Sequence, residues 1–365
     1  MQTAFFHSSK RKRMALFISG LLVLMAFLFS ACSLDSGTQA AQGTPTPVAV
    51  NGFGSAQNHV HSLIAQPDSV LILATHYGIF RSADGGTSWQ MVAAGPNQPM
   101  QGLMAYSLVA SPLNPQRLYV LTLPATIPHA GVLGLYTSAD DGKTWQMAIA
   151  TASVTSSSIY MVAAGNDTPD EVYIYLPDLG ALGLRVSLDD GKHFSSTGTL
   201  PFSNILGLVA IPNQPGHLLV YGSGGIASSS DGGGHWQLIK GISGEIYEMH
   251  MAGPRTPIYA SGDSGIYVSQ DSGKTFQLVN QTSYAGLAPS PTQPQTVYGK
   301  TGLTVFRSTD GGHTWKALPH ISGNLSNMAV DPANPAQVYL ALSYPTAVYL
   351  LNASSTGWTS LTPKA

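Results

Sequence analysis

An eight-residue pattern recurs along the chain and limits the possible folds more than any other sequence feature. It has serine first, aspartate third, glycine fifth and an aromatic residue last. Six good copies start at Ser82, Ser138, Ser187, Ser229, Ser269 and Ser308. A degenerate seventh copy starts at Leu351, and successive starts lie 39 to 56 residues apart. Phe194 and Phe276 end two copies, and the other five copies end on all five tryptophans of the chain: Trp89, Trp145, Trp236, Trp315 and Trp358.

The segments between the copies are short runs of valine, isoleucine, leucine and tyrosine, bounded by glycine, proline, asparagine and aspartate. This pattern is typical of short β-strands. A repeat of about 40–45 residues with four short strands has the size of one propeller blade. Residues 58–365 divided among seven copies give 44 residues each. We therefore predict an all-β, seven-bladed β-propeller, and a six-bladed ring is the alternative if the last unit forms only in part.

The repeated residues suit a tight turn followed by a buried ring. An aspartate carboxylate can accept backbone N–H groups across such a turn, and the glycine can take a positive φ without steric cost. The terminal aromatic ring supplies a large apolar surface for packing against a neighbouring unit. The pattern resembles the Asp-box, or bacterial neuraminidase repeat, of β-propeller proteins.

This resemblance implies a structural role for the repeats. In the Asp-box superfamily these turns join the third and fourth strands of a blade, on the face away from the binding site. The resemblance therefore implies that the repeat aspartates are not catalytic: Asp84, Asp140, Asp189, Asp231, Asp271 and Asp310.

The same resemblance leaves the function open, because the superfamily holds sialidases, xyloglucan-degrading glycosidases, sortilin-type receptors and photosystem II assembly factors. Sialidases use three arginines to hold a carboxylate and carry an Arg-Ile-Pro motif, which is absent from this sequence. We therefore expect a binding or assembly module for a glycan, peptide or protein partner, with no catalytic residue assigned. A glycosidase-like hydrolase of the sialidase or xyloglucanase type is the alternative.

The N-terminal segment has the organisation of an export signal. The basic cluster Lys10–Arg13 precedes an apolar run from Met14 to Phe29, and small residues lead to Cys32. Ser30 and Ala31 before the cysteine resemble the lipobox of bacterial lipoproteins. We predict a signal peptide over 1–31, lipidation of Cys32, a flexible tether over 32–57 and the propeller over 58–365. The protein would then lie in a bacterial cell envelope, outside the cytoplasmic membrane; an uncleaved membrane anchor is the alternative.

Charge and cysteine content exclude several other classes. The net charge is −2, which offers no basic surface for nucleic acid. The single cysteine excludes an intramolecular disulfide and a thiolate-rich metal site. We expect a monomer held at the membrane by its lipid, and we assign no cofactor apart from the candidate divalent metal described below.

Histidines in the first predicted blade are the candidate binding residues. His59 and His61 begin an innermost strand, and His76 ends the next strand. This segment also resembles a group of exported bacterial proteins described as glycosyl hydrolase-like, which carry H-x-H-G and A-T-H-x-G motifs; Ser62 replaces the first of those glycines.

Two further residues are predicted to lie on the same face. His129 falls in a long loop of the second blade, and alignment of the first strands on their closing proline places Glu248 level with His61. Together these side chains could hold a divalent metal or a polar ligand at the channel mouth. The alternative is that the histidines line the channel and hydrogen-bond to neighbours or water.

Overall fold

The structure, a computed structural model, describes residues 53, 57–126, 128–155, 161–176, 183–352 and 356–363. Within these ranges the chain forms seven four-stranded antiparallel sheets, each built from four consecutive strands. The predicted seven-bladed β-propeller is confirmed, and the six-bladed alternative is wrong. The predicted signal peptide and Cys32 lie outside the described residues. No helix in the described part of the chain is long and apolar enough to span a membrane.

The strands are short and regular in length. Blade 1 consists of Val60–Ala65 (β1), Leu71–Thr75 (β2), Gly78–Ser82 (β3) and Gln90–Ala93 (β4). Blade 2 consists of Leu103–Ala110 (β5), Leu118–Pro124 (β6), Gly134–Ser138 (β7) and Gln146–Ala150 (β8). Blade 3 consists of Met161–Ala164 (β9), Val172–Leu176 (β10), Gly183–Ser187 (β11) and Ser195–Thr199 (β12). Blade 4 consists of Ile205–Ala210 (β13), Leu218–Gly222 (β14), Gly225–Ser229 (β15) and Gln237–Leu238 (β16).

The remaining blades follow the same plan. Blade 5 consists of Ile246–Met251 (β17), Ile258–Gly262 (β18), Gly265–Ser269 (β19) and Gln277–Asn280 (β20). Blade 6 consists of Ala285–Pro289 (β21), Val297–Thr301 (β22), Thr304–Ser308 (β23) and Lys316–Ala317 (β24). Blade 7 consists of Asn324–Val330 (β25), Gln337–Ser343 (β26), Ala347–Asn352 (β27) and Thr359–Ser360 (β28). Two single-turn 3₁₀ helices lie at Pro67–Ser69 and Thr151–Ser153.

Burial differs systematically between the strands of a blade. Every residue of β2 and of β19 is buried, because both faces of a blade's middle strands pack against neighbouring blades. The outermost strands are less buried, and both residues of β16 are exposed. The first strands contact one another around the ring, so they form its centre.

Blade 7 packs against blade 1 to close the ring. The Val60 N–H donates to Ser343 Oγ (2.9 Å), and the Trp89 Nε1–H donates to the Leu361 carbonyl oxygen (3.0 Å). The ring of Phe53 lies 5.0 Å from that of Phe80 and is buried in the same apolar cluster. Phe53 falls inside the segment predicted as a tether, but it belongs to the packed core.

The six good copies of the repeat form the turns between the third and fourth strands. In the second copy the Asp140 carboxylate accepts the Thr144 N–H (2.9 Å) and the Thr144 hydroxyl (2.7 Å). The Gly142 N–H donates to Ser138 Oγ (2.9 Å), and Gly142 has a φ of 74°. The predicted turn chemistry is therefore present, and these aspartates are engaged in holding their own turns.

Each terminal aromatic ring packs between its own blade and the preceding one. Trp145 of blade 2 shares an apolar cluster with Ile72 of blade 1 and Leu118 of blade 2. Trp315 of blade 6 stacks on Tyr284, with ring centroids 4.1 Å apart. The aromatic residue that closes each repeat is thus a wedge between two blades.

Candidate functional site

Antiparallel pairing of the first two strands brings His59, His61 and His76 together. Val60 of β1 lies opposite Thr75 of β2, and the His76 N–H donates to the His59 carbonyl oxygen (2.9 Å). His61 is the extra residue of a β-bulge between Val60 and Ser62. Because a bulge re-aims its side chain, His61 can turn toward His59 instead of following the regular alternation of the strand. The three imidazoles lie on the face opposite the repeat turns.

The three histidine rings form a compact cluster. The ring centroid of His59 lies 4.5 Å from that of His61 and 4.9 Å from that of His76. One ring nitrogen from each histidine can be chosen so that all three lie within 4.8 Å of one another. Nδ1 of His59, Nε2 of His61 and Nδ1 of His76 are buried and have no hydrogen-bond partner among the described residues. Three nitrogens that need a partner thus belong to neighbouring rings.

Burial keeps these histidines neutral. Burial lowers the pKa of His59 and of His76 below the ordinary value. It lowers the pKa of His61 further, to about 3, with added repulsion from the other two rings. Backbone hydrogen bonds at Gln57 and Ala125 favour the protonated rings of His59 and His76, but they offset only part of this effect on the pKa. At neutral pH each ring therefore keeps one nitrogen with a free lone pair.

Tyrosines from three blades surround the histidine cluster. Tyr344 of blade 7 stacks on His59 with ring centroids 5.2 Å apart, and Tyr77 of blade 1 meets His76 edge-on at 4.7 Å. Tyr106 of blade 2 meets His61 edge-on at 5.8 Å. The exposed fractions of Tyr106 and Tyr344 are 38% and 49%. The polar centre therefore has an aromatic rim open to solvent.

His129 does not join the histidine cluster. Its Nδ1 lies 2.8 Å from the Gly131 carbonyl oxygen within its own loop. The group of described residues able to share a metal consists of His59, His61 and His76.

Glu248 is displaced by one residue from its predicted position. In blade 5 the bulged residue equivalent to His61 is Tyr247, because one additional residue, Gly253, precedes the closing proline of that strand. A shift of one residue moves a side chain to the other face of a strand. The Glu248 carboxylate instead accepts the Gly286 N–H (3.1 Å) and the Leu287 N–H (3.4 Å), and so joins blade 5 to blade 6. The prediction that Glu248 lies level with His61 is wrong.

Tyr77 and Tyr247 were not predicted as part of this face, and the sequence did not indicate that Tyr344, expected on this face, stacks on His59. The Tyr247 hydroxyl donates to Asp263, whose other carboxylate oxygen accepts the Glu245 N–H (2.9 Å). The available signal was positional: Tyr77 follows His76 directly, and Tyr344 lies in the turn between the second and third strands of blade 7. In a propeller those turns lie on the same face as the start of each first strand.

The geometry defines a class: a seven-bladed propeller with a polar, aromatic-rimmed centre on the face opposite its structural turns. No family model matches the chain. A probable oligoxyloglucan-reducing end-specific xyloglucanase of Neosartorya fischeri is 28% identical over 207 residues, covering 47% of this chain and 25% of the relative. The chain thus matches only about a quarter of that curated relative's length.

Solved structures show the same fold at low sequence identity. The GH74 xyloglucanase of Xanthomonas campestris has a TM-score of 0.64 at 16% identity, covering 86% of this chain and 55% of the enzyme. YCF48 of Cyanidioschyzon merolae has a TM-score of 0.58 at 14% identity, covering 82% of this chain and 97% of YCF48. A structure of YCF48 bound to D1 peptide has a TM-score of 0.56 at 13% identity, covering 80% of this chain and 91% of YCF48. The chain is therefore similar in fold both to glycosidases and to a peptide-binding propeller.

Proposed function

We propose that this protein is an exported, lipid-anchored propeller that binds a glycan, peptide or protein partner on the face carrying the histidine cluster. One observation carries the proposal: three half-buried histidines, each with one buried and unpartnered ring nitrogen, lie beside a rim of exposed tyrosines. Tyrosine rings offer a large, rigid contact surface with a polar tip, which suits both peptide and sugar ligands.

The repeat turns support this assignment of faces. We propose that they are Asp-boxes, because each good copy carries the serine, aspartate, glycine and aromatic residue of that motif. Their carboxylates are occupied within their own turns, as in the Asp140–Thr144 pair, so they have little left to offer a ligand. The opposite face is then the one free to bind.

Relatives of both kinds bear on the nature of the partner. YCF48 is a propeller of nearly the same size that has been solved with a bound peptide. The xyloglucanases share the fold but are longer: the Xanthomonas enzyme is matched over 55% of its length. The YCF48 complex with a peptide supports a binding role, while similarity to xyloglucanases keeps a glycosidase-like hydrolase as the alternative.

A site-specific cross-linking experiment tests the binding face. Benzoylphenylalanine at position 106 or 344 is expected to cross-link one common partner in cells, whereas the same group at Leu238 is expected to cross-link none. Leu238 is a matched control, because it is exposed (58%) but lies in β16 at the outer edge of blade 4. Titration of the purified chain with xyloglucan oligosaccharides covers a glycan partner. Cross-linking from position 238 alone would contradict the proposal. So would the absence of both cross-linking from positions 106 and 344 and heat of binding to the oligosaccharides. Release of new reducing ends from the oligosaccharides would support the hydrolase.

Anchoring at Cys32 has a separate test. Metabolic labelling with a palmitate analogue is expected to mark the wild-type chain, and Cys32→Ser is expected to abolish the label, because the thiol is the acceptor of the lipid. Analysis of labelled membranes by gel fluorescence measures this directly. Undiminished labelling of the variant, or a mature protein that still begins at Met1, would exclude the lipoprotein hypothesis.

A further inference from the structure

We propose that His59, His61 and His76 form a three-histidine site for a divalent transition metal such as zinc, with an open coordination position toward the aromatic rim. This inference concerns the centre of the face and does not require the partner-binding role proposed above. It assigns a specific ligand class to three buried ring nitrogens that have no hydrogen-bond partner among the described residues.

The donor atoms are the first argument. Nδ1 of His59, Nε2 of His61 and Nδ1 of His76 are buried and unpartnered within the described part of the chain. Buried polar atoms in folded proteins are almost always satisfied, so three such atoms on neighbouring rings call for a partner. In the structure, one nitrogen from each of the three rings lies within 4.8 Å of the chosen nitrogens of the other two. Zinc–nitrogen bonds of about 2.0–2.1 Å place tetrahedral ligands about 3.3 Å apart, a contraction that modest side-chain rotation supplies.

The second argument is the support behind the ligands. Backbone hydrogen bonds at Gln57 and Ala125 engage the rings of His59 and His76. Metal-ligating histidines commonly donate their other ring N–H to a carbonyl oxygen, which fixes the tautomer and orients the lone pair. The His76 N–H bond to the His59 carbonyl oxygen (2.9 Å) also locks the two backbones together. The donors therefore sit on paired strand ends, where their positions are well determined.

The chemistry of the donor set selects the metal. Imidazole nitrogen suits zinc, copper, nickel and iron, whereas calcium and magnesium prefer oxygen ligands. Among the described residues, the group that could share a metal consists of histidines and contains no aspartate or glutamate. Three neutral ligands leave the full 2+ charge on the metal, so the open position would favour an anionic fourth ligand such as a carboxylate. Three protein ligands with one exchangeable position are typical of reactive rather than purely structural zinc sites.

Zinc titration of the detergent-solubilised full chain tests the site. Calorimetry is expected to show one tight equivalent of Zn²⁺ for the wild type. The affinity for Zn²⁺ is expected to fall at least about 100-fold in His61→Ala and in the double variant His59→Ala/His76→Ala. Loss of a residue that only hydrogen-bonds to a metal ligand already costs about 10–100-fold, and these variants lose the ligands themselves. His129→Ala is the matched control on the same face, because His129 bonds within its own loop. His193→Ala controls for weak binding at an exposed histidine–aspartate pair of a repeat turn.

The two control variants are expected to bind Zn²⁺ as tightly as the wild type. The proposal is overturned if the wild type binds no tighter than His61→Ala, or if either control loses as much affinity as His61→Ala does. Circular dichroism of each variant establishes whether it retains the β-sheet fold.

A spectroscopic measurement on the wild type tests the site even if the variants do not fold. Co²⁺ added to the metal-free chain is expected to give the intense visible absorption of a four- or five-coordinate nitrogen-rich site, and acetate or azide is expected to shift those bands by occupying the open position. Weak absorption of the kind given by hexa-aqua Co²⁺ would overturn the metal site. Intense bands that no anion shifts would overturn the open position.

Discussion

Replacement of Trp145 by alanine is expected to lower the free energy of unfolding by about 3–5 kcal/mol, as for other large aromatic residues removed from protein cores. The exposed fraction of Trp145 is 6%, and its ring packs with Ile72 of blade 1 and Leu118 of blade 2. Its Nε1–H donates to the Gly142 carbonyl oxygen (3.1 Å). Truncation would therefore open a cavity between two blades and leave that carbonyl oxygen without its partner.

Equilibrium denaturation of the purified chain measures this loss. Met147→Ala is the matched control, because Met147 lies two residues further along the chain and is 45% exposed. Surface substitutions of this kind stay within about 0.5 kcal/mol. A loss below about 1 kcal/mol for Trp145→Ala would contradict the wedge role of the repeat aromatics. Variants that still fold should retain the zinc affinity of the wild type, since Trp145 belongs to the opposite end of the blade.

Asp140→Ala is expected to cost about 1–3 kcal/mol at pH 7, because it leaves turn donors without their acceptor. The Asp140 carboxylate accepts both the N–H and the hydroxyl of Thr144 and the hydroxyl of Ser138. Chemical denaturation of the wild type and the variant gives the difference. Lys143→Ala, an exposed change in the same turn, serves as the control and should change stability by less than about 0.5 kcal/mol.

The cost of Asp140→Ala should depend on pH with a definite sign. Burial raises the pKa of Asp140, but the hydrogen bonds from Thr144 and Ser138 lower it by more, so its pKa in the folded chain lies below the ordinary value. A carboxyl group with a lowered folded pKa stabilises the protein fully above its unfolded pKa of about 3.9, and loses this effect as the pH falls through the folded value. The difference between wild type and variant should therefore be constant from pH 7 to about 5 and shrink below about pH 4. A difference that grows in acid would contradict this account of the turn.

The other five repeat aspartates also have lowered pKa values, so blades 1 to 6 share this sensitivity. For Asp310, burial acts to raise the pKa, but hydrogen bonds from Thr314 and Ser308 bring it to about 2. Acid unfolding of the wild type is then expected to set in below about pH 4, where these carboxylates begin to take up protons.

Much of the architecture could be predicted because the repeat is a local signal. The spacing of its copies predicted seven blades, and the aspartate and glycine predicted the turn that Asp140 and Gly142 form. The pairing of His59 and His61 with His76 also followed from a hairpin between neighbouring strands. All of these depend on residues within one blade, where sequence separation is small.

Features that depend on register or on distant blades were missed. Glu248 was aligned on a closing proline, but one extra residue in blade 5 puts Tyr247 at the bulge. Tyr344 lies almost 300 residues from His59 in sequence and reaches it only because the ring closes. Phe53 looked like part of a flexible tether, yet its ring fills the junction of the first and last blades.

The sequence by itself determined the number of blades, the chemistry of the turns and the face on which the first-blade histidines lie. Strand alternation and turn geometry operate over a few residues, so a repeated pattern specifies them. Only the tertiary structure decided that three imidazole nitrogens are buried together without partners, and that tyrosines of three blades enclose them. The physical reason is that burial and ring–ring contact arise from packing between blades, which no segment of the chain encodes alone.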